Sequence, residues 1–243
     1  MNYQTLHCIA LRTVKYNDRH SILTAYTREH GRMSFLLPAG SGKEAARRRA
    51  LMMPMGLFEC TADLRQGRDI PPMREPTPIL PLHGIHSNPV KGLIAMFLAE
   101  FLQSILRESQ EDAPLFRYLT ESVARLDSTT DAETANFPIC FLYRLTRFAG
   151  IEPDTGSWRP GRIFDMTDAT FRDTPPLHSH YLVPQESAVA ATIARMTWDN
   201  CGRFRFSRAD RRLIIDRLTT YYSLHYTSLA GLHSLDILRQ ILD

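Results

Sequence analysis

Arg47-Arg48-Arg49, with Lys43 four positions before Arg47, is the densest positive cluster in the 243-residue chain. Guanidinium forks match phosphate oxygens, so the chemistry on offer is the gripping of a polyanion rather than bond making. Arg12, Lys15, Arg19, Arg28 and Arg32 come from neighbouring predicted strands and turns and extend the same surface. Phosphate contacts of this kind give affinity without sequence preference. Tyr16, Tyr26 and Phe35 could add base stacking, although Tyr26 and Phe35 fit core positions better. The competing reading is a solvated basic loop with no partner. Charge segregation decides between them. Residues 1–80 hold 12 Lys+Arg against 7 Asp+Glu, whereas residues 81–243 hold 17 against 19. The net charge of +3 therefore conceals a basic N-terminal third, the signature of a polyanionic partner.

Other chemistries fit less well. Gly40-Ser41-Gly42-Lys43 invites a phosphate-loop reading, but Leu37 stands where the first glycine is needed. Glu44 stands where a hydroxyl should reach magnesium, and its charge would repel a triphosphate. A flexible basic connection between strands is the better expectation. Among the nine histidines, His178 and His180 are close, as are His83 and His86, yet neither pair has ligands at metal spacing. Cys8, Cys60, Cys140 and Cys201 are too dispersed for a zinc knuckle or a compact disulfide framework and read as core residues. No nucleophile elbow or close carboxylate pair appears. The sequence therefore assigns no catalytic residue, no metal and no cofactor, and the protein reads as a non-enzyme. Arg144 and Arg147 lie three apart beside an apolar helical stripe. They either snorkel to solvent or rim a groove for an acidic, hydrophobic peptide tail.

The basic residues must be held by a small β unit. Ser21–Thr27 and Arg32–Leu37 form strands around a turn at Glu29-His30-Gly31, where Gly31 supplies the positive φ. Leu6–Val14 precedes them; Leu51–Cys60 and the proline-rich Ile70–Leu80 follow, the latter only as an edge strand or an extended segment. Five short strands predict an OB-fold barrel over residues 1–82. The period changes at Asn88, a predicted N-cap, with Pro89 as first helical residue. Helices are expected near 89–109, 115–126, 136–148 and 186–196, and from the Ser207/Asp210 capping pair to His225, with a short one at the end. Residues 83–243 thus form a mostly helical domain with an irregular insertion at about 151–184, and the class is α+β. No apolar run approaches a membrane span and the N-terminus lacks a signal-peptide layout, so a cytoplasmic, nucleoid-associated protein is expected.

Several stretches resemble the RecO family of bacterial recombination mediators. They are Ser21 to Gly40 around Thr27-Arg28-Glu29-His30-Gly31-Arg32, the basic run 43–49, Leu93 to Leu102, Phe141 to Gly150, and Leu232 to Leu238. The resemblance implies an N-terminal OB-fold and a helical domain. It further implies binding of single- and double-stranded DNA, annealing of complementary strands, and work with RecR that helps RecA displace single-strand-binding protein (SSB), whose acidic tail such proteins contact. Many members carry a four-cysteine zinc module after the third helix. Residues 151–205 here contain only Cys201, so packing around Trp158, Phe164, Phe171 and Tyr181 is expected instead. Two rival readings remain: an RNA-binding OB protein, and a protein-interaction scaffold with idle arginines.

Overall fold

A computed structural model describes residues 3–65, 69–106, 110–226, 229 and 231–241. The chain divides into two compact units, Met1–Ser128 with Leu232–Leu238, and Thr129–Gly231 with Arg239–Asp243.

The first unit opens with strands β1 (Tyr3–Lys15), β2 (His20–Thr27) and β3 (Gly31–Pro38), helix α1 (Lys43–Leu51), and strands β4 (Leu57–Asp63) and β5 (Met73–Pro78). The sheet is antiparallel in the order β3-β2-β1-β4-β5. Its edges approach through a bridge between Leu36 and Pro72, where the Leu36 N–H donates to Pro71 O at 3.0 Å. This is the partly open, five-stranded OB-type barrel that the strand count predicts. Alternate residues fill it: Leu6, Cys8 and Ala10 of β1, Leu23 and Ala25 of β2, Phe35 and Leu37 of β3, and Phe58, Cys60 and Ala62 of β4. Gly31 takes φ 65°, closing the β2–β3 turn as its position requires. The proline-rich segment is indeed an edge strand, shorter than expected.

Two elements differ from expectation: the fourth strand starts at Leu57 rather than Leu51, and a helix precedes it. Residues 43–51 are not a flexible connection but the helix α1. Ala, Arg, Lys, Glu and Leu are strong helix formers, and Gly42 provides the turn into the first residue with φ 93°. The helix carries so little apolar surface that its periodicity is invisible; only Ala45 is buried.

Helices α2 (His83–Ser87), α3 (Pro89–Ile105) and α4 (Ala113–Ser128) complete this unit. The Asn88 carboxamide oxygen accepts from Val90 N and Lys91 N at 2.9 and 3.3 Å, as its capping role demands. Asp127 near the end of α4 ties all three together. Its Oδ1 accepts from Ile85 N at 2.7 Å and its carbonyl from the buried Lys91 ammonium at 2.8 Å. That carbonyl also lies against Gly84, where an added Cβ would stand 1.9 Å away. Residues 232–238 open the last helix, α8 (His233–Ile241), and Glu100 of α3 caps it. Burial alone would raise the Glu100 carboxyl, but hydrogen bonds from Ser234 Oγ, Ser234 N and His233 N outweigh it and hold the group below its usual value.

The second unit contains α5 (Asp131–Phe148), strands β6 (Ile163–Asp165), β7 (Thr170–Arg172) and β8 (Tyr181–Leu182), then α6 (Pro184–Ile193) and α7 (Arg208–His225). Helix α5 begins five residues before its predicted start, because Thr130 and Glu133 form a capping box and Pro138 is accommodated inside the helix. Tyrosines of α7 and its end donate to carbonyls in the second half of α5 and just beyond it. Tyr222 Oη donates to Leu142 O at 2.9 Å, Tyr226 Oη to Ala149 O at 2.8 Å, and Tyr221 Oη to Ile151 O. The insertion is a three-stranded sheet in the order β7-β6-β8. Phe164, Phe171, Met166, Leu182 and Tyr221 form its core, with Trp158 packed alongside. Tyr181 stays half-buried outside that cluster. No helix among the described residues is long and apolar enough to cross a membrane.

Two substitutions test these joints. Gly84→Ala drives a methyl into the Asp127 carbonyl and should cost roughly 1–3 kcal/mol in urea unfolding; an unchanged midpoint would disprove the close approach. Glu100→Gln should cost about 1 kcal/mol at neutral pH. A depressed carboxyl stabilises the fold above its unfolded pKa, and that stability is lost as pH falls through the lower folded value. The gap between wild type and Glu100→Gln should therefore close from about pH 5 to about pH 3. A gap independent of pH would show that the carboxylate charge does not hold α8.

Candidate nucleic-acid interface

The outer surface of the barrel is divided by a β-bulge. Cys8 pairs with Thr27 and Ala10 with Ala25, but the next partner of Thr24 is Arg12, so Leu11 is the extra residue. Without the bulge Arg12 would continue the inward row of Leu6, Cys8 and Ala10. The slip turns it to the outer face, in register with Thr24 and, across β3, Ser34. The neighbouring outer row runs Leu57, Ile9, Tyr26, Arg32 across four strands. Its first three members are at most 1% exposed, since α3 packs on β1 and Tyr26 stacks on Phe116 of α4 at 6.3 Å. Burial, with Asp112 adding to it, raises the Tyr26 phenol to about 12. Tyr26 and Phe35 are therefore core residues and offer no ring to a base.

Past the bulge the surface is open. Arg12 is exposed, and Val14 beside it is 38% exposed. The β1–β2 turn presents Lys15, Tyr16 and Arg19, with Tyr16 at 65% exposure. Tyr16 and Asn17 N–H groups both donate to His20 O, which fixes the turn. Lys15 is the one basic group here with an acidic partner among the described residues, Asp18 at 2.8 Å. The Ala39 N–H donates to Arg19 O at 2.7 Å, which brings the entry to α1 beside this turn.

Helix α1 then sorts its own charges. With Ala45 facing inward, Lys43 and Arg47, four residues apart, share the solvent face. Arg48 and Arg49 fold back instead, donating to Pro38 O and Gly40 O respectively. They brace the β3–α1 connection while still adding positive potential. Arg12, Lys15, Arg19, Lys43, Arg47, Arg48 and Arg49 thus gather on one end of the barrel.

Two predicted residues do not join them. Arg28 sits at the opposite end of the eight-residue β2 from Arg19, roughly 25–30 Å away along the strand. Its neighbourhood is balanced by acids: the Glu29 carboxylate accepts from His7 N at 3.0 Å, and Glu59 lies 3.5 Å from the His7 ring. Arg32 is half-buried and its Nη1 reaches the Gln103 carbonyl in the last turn of α3 at 3.5 Å, a favourable site for a cation. With Met33, Ser34, Asp69 and Ile70 it lines a polar hollow of about 320 Å³. Residues 66–68 of the β4–β5 connection lie outside the described residues. The sequence reading missed Thr24 and Ser34, hydroxyls in the Arg12 row; only the strand register reveals them.

In the second unit, Arg144 is half-buried with its Nε enclosed and without a hydrogen bond, and Arg147 is exposed. An apolar cavity of about 220 Å³ lies close in sequence, lined by Tyr143, Phe164, Leu182, Ile193, Leu213 and Tyr221 among others. Its rim carries Arg217, paired with Glu186 at 2.7 Å, rather than Arg144 or Arg147. Among the described residues no three His, Cys, Asp or Glu side chains converge as metal ligands. The four cysteines are free and buried; burial, then the neighbouring Cys60, pushes the Cys8 thiol well up.

Comparison with known proteins agrees with this architecture. Residues 1–79 match the family model described as Recombination protein O N terminal, and residues 86–236 match Recombination protein O C terminal. The DNA repair protein RecO of Porphyromonas gingivalis strain W83 is 39% identical over 241 residues, covering 97% of each chain. That of Phocaeicola vulgatus is 37% identical over 233 residues, covering 96% of each. That of Azobacteroides pseudotrichonymphae is 31% identical over the full length of both. A basic half-barrel joined to a helical region, matched end to end in this way, places the chain in the RecO family of DNA repair proteins.

Proposed function

We propose that this protein binds single- and double-stranded DNA and anneals complementary strands, acting with RecR to help RecA load on SSB-coated single strands. The gathering of seven basic side chains on the open end of the barrel carries this reading. Arg12, Arg19, Lys43 and Arg47 are exposed and have no acidic partner among the described residues, so their charge is free to neutralise phosphates. Neutralising two backbones in one place removes the repulsion that keeps strands apart. That step needs no bond to be made or broken, and no catalytic group, metal or cofactor. Residues 1–82 serve as the nucleic-acid module and residues 83–243 as the partner-binding part. In the latter, Arg144 and Arg147 are the contacts for the acidic SSB tail. Family membership supports the repair role, and the carboxylate-rich tail suits arginine.

The surface also ranks its own residues. Arg48 and Arg49 brace a loop, so reversing them confounds binding with folding. Arg12→Glu/Arg19→Glu/Arg47→Glu touches only side chains that hold nothing. This variant should anneal complementary oligonucleotides at least about 10-fold more slowly while melting like the wild type, because several phosphate contacts are lost. Arg28→Glu, at the far end of β2, should anneal normally. Wild-type-like annealing by the triple variant would remove the barrel end as the DNA surface. Matched RNA and DNA strands in competition would expose an RNA-binding role.

A further inference from the structure

A second basic surface lies in the helical unit, on the segment joining α6 to α7 and the first turns of α7. Residues 195–212 hold six arginines (Arg195, Arg203, Arg205, Arg208, Arg211 and Arg212) against Asp199 and Asp210. The rest of residues 81–243 holds 11 Lys+Arg against 17 Asp+Glu, so this positive charge is concentrated within an otherwise acidic region. A solvated face would have no reason to collect like charges at such density.

The backbone explains how they are displayed. Cys201–Arg203 is one turn of 3-10 helix, and Phe204 and Ser207 are extended. From Gly202 to Ser207 exposure alternates with period two: Gly202, Phe204 and Phe206 are half-buried, and Arg203, Arg205 and Ser207 are exposed. The two phenylalanine rings stack at 6.0 Å and 23°, and Phe206 reaches the apolar cavity. Helix α5 clamps the segment from below. The Asn136 carboxamide nitrogen donates to Cys201 O at 2.9 Å and Phe204 O at 3.0 Å, and Trp198 stacks on Phe137 at 4.9 Å. The track is thus pinned on its aromatic side and bare on its arginine side.

The nearest acids are already used. The Asp210 carboxylate accepts from Ser207 N at 2.9 Å and Ser207 Oγ at 2.7 Å, closing the start of α7. Glu133 does the same for Thr130 at the start of α5. Arg211 and Arg212 brace carbonyls, those of Phe206 and Arg239. Arg203, Arg205 and Arg208 are exposed, and their guanidinium groups have no hydrogen bond or ion pair among the described residues.

From this geometry we infer that Arg203, Arg205 and Arg208 form a second phosphate-binding track, which takes the backbone of a single DNA strand. The inference rests on the annealing function proposed above and adds to it a hold on a single strand distinct from the barrel end. Arg203 closes the 3-10 turn, Arg205 follows in the extended stretch and Arg208 opens α7, so three planar forks line one short exposed stretch and can address neighbouring phosphates. Contacts to phosphates alone give the track no sequence preference.

The test compares wild type, Arg203→Ala/Arg205→Ala/Arg208→Ala, and the barrel variant Arg12→Glu/Arg19→Glu/Arg47→Glu. Each is titrated with a short fluorescent deoxythymidine oligonucleotide over a range of salt. Wild type should bind two oligonucleotides and each variant one. Three lost phosphate contacts should make the slope of log K against log salt shallower by about 2 in the track variant. Lysine at the same three positions should restore the slope. The oligonucleotide should protect Arg203, Arg205 and Arg208 of the wild type from phenylglyoxal modification, a result that requires no mutant to fold. Unchanged slope and stoichiometry in the track variant, or no protection of these arginines, overturns the inference. So does loss of poly-glutamate binding with DNA binding intact, which would mark a surface for acidic proteins. A barrel variant that behaves like wild type, beside a defective track variant, sinks the barrel reading and leaves the track standing.

Discussion

Strand β1 is buried on both faces from Cys8 to Leu11 and exposed from Arg12 to Lys15. The rest of the N-terminal unit depends on that constraint. Up to Ala10 its inward residues fill the barrel, while Ile9 and Leu11 on the other side are at most 3% exposed. A strand buried on both faces cannot present charge. The bulge at Leu11 ends this regime by changing the phase of alternation, so that Arg12 faces outward where the inward row would have continued. One inserted residue thus separates a covered middle, Cys8 to Leu11, from an open end that is free to be basic. Arg28 and Arg32 share the residue type of the other candidates but lie on the wrong side of this division, one among acids and the other against a helix end.

Electrostatics acts in two ways within the same cluster. Arg48 and Arg49 hold down the carbonyls that lead into α1, whereas Lys43 and Arg47 on the opposite helical face hold nothing. A helix with one buried residue needs such braces, because it has little hydrophobic burial to fix it. The helical elements are secured in the same manner. Tyrosines of α7 and its end take carbonyls within α5 and at its end, a carboxylate takes the start of α8, and a buried ammonium takes the end of α4. Polar side chains close helix ends across the core, and the apolar stripes set which helices meet.

Features carried by local chemistry were legible in the sequence. Asn88-Pro89, the Ser207/Asp210 pair and Gly31 each act through neighbours within four residues, and each stands where its residue type predicts. The long apolar stripes of α3, α4 and α5 were equally plain. What escaped was set by register or by weak patterning. Helix α1 has almost no apolar face, so period says nothing, although its composition favours helix. The bulge leaves no mark in the sequence, since Ala10-Leu11-Arg12 reads as ordinary strand; only the partners of Thr24 and Ala25 reveal it. The start of α5 was hidden by Pro138, which suggests a boundary and instead sits inside the helix. The basic character of the N-terminal third could be counted, but which of its cations converge could not.

Charge segregation also bears on why two units are needed. Strand pairing demands that both backbones be neutralised, yet cations packed on one small surface repel one another and destabilise the fold that carries them. On the barrel this repulsion is limited by directing Arg48 and Arg49 into carbonyls and Lys15 onto Asp18. The 195–212 segment limits it by spending Arg211 and Arg212 in the same way and by anchoring the chain through Phe204 and Phe206. In both places roughly half the cations serve structure and the other half face water without a partner. Distributing the load lets a chain of net charge +3 carry two strongly basic stretches while the remainder stays acidic. On the proposed annealing role, a strand would be held where the arginines are and not smeared over the whole surface. Complementary bases can search for register only if the backbone is gripped loosely, and sequence-blind phosphate contacts, weak singly and exchangeable with salt, would provide such a grip.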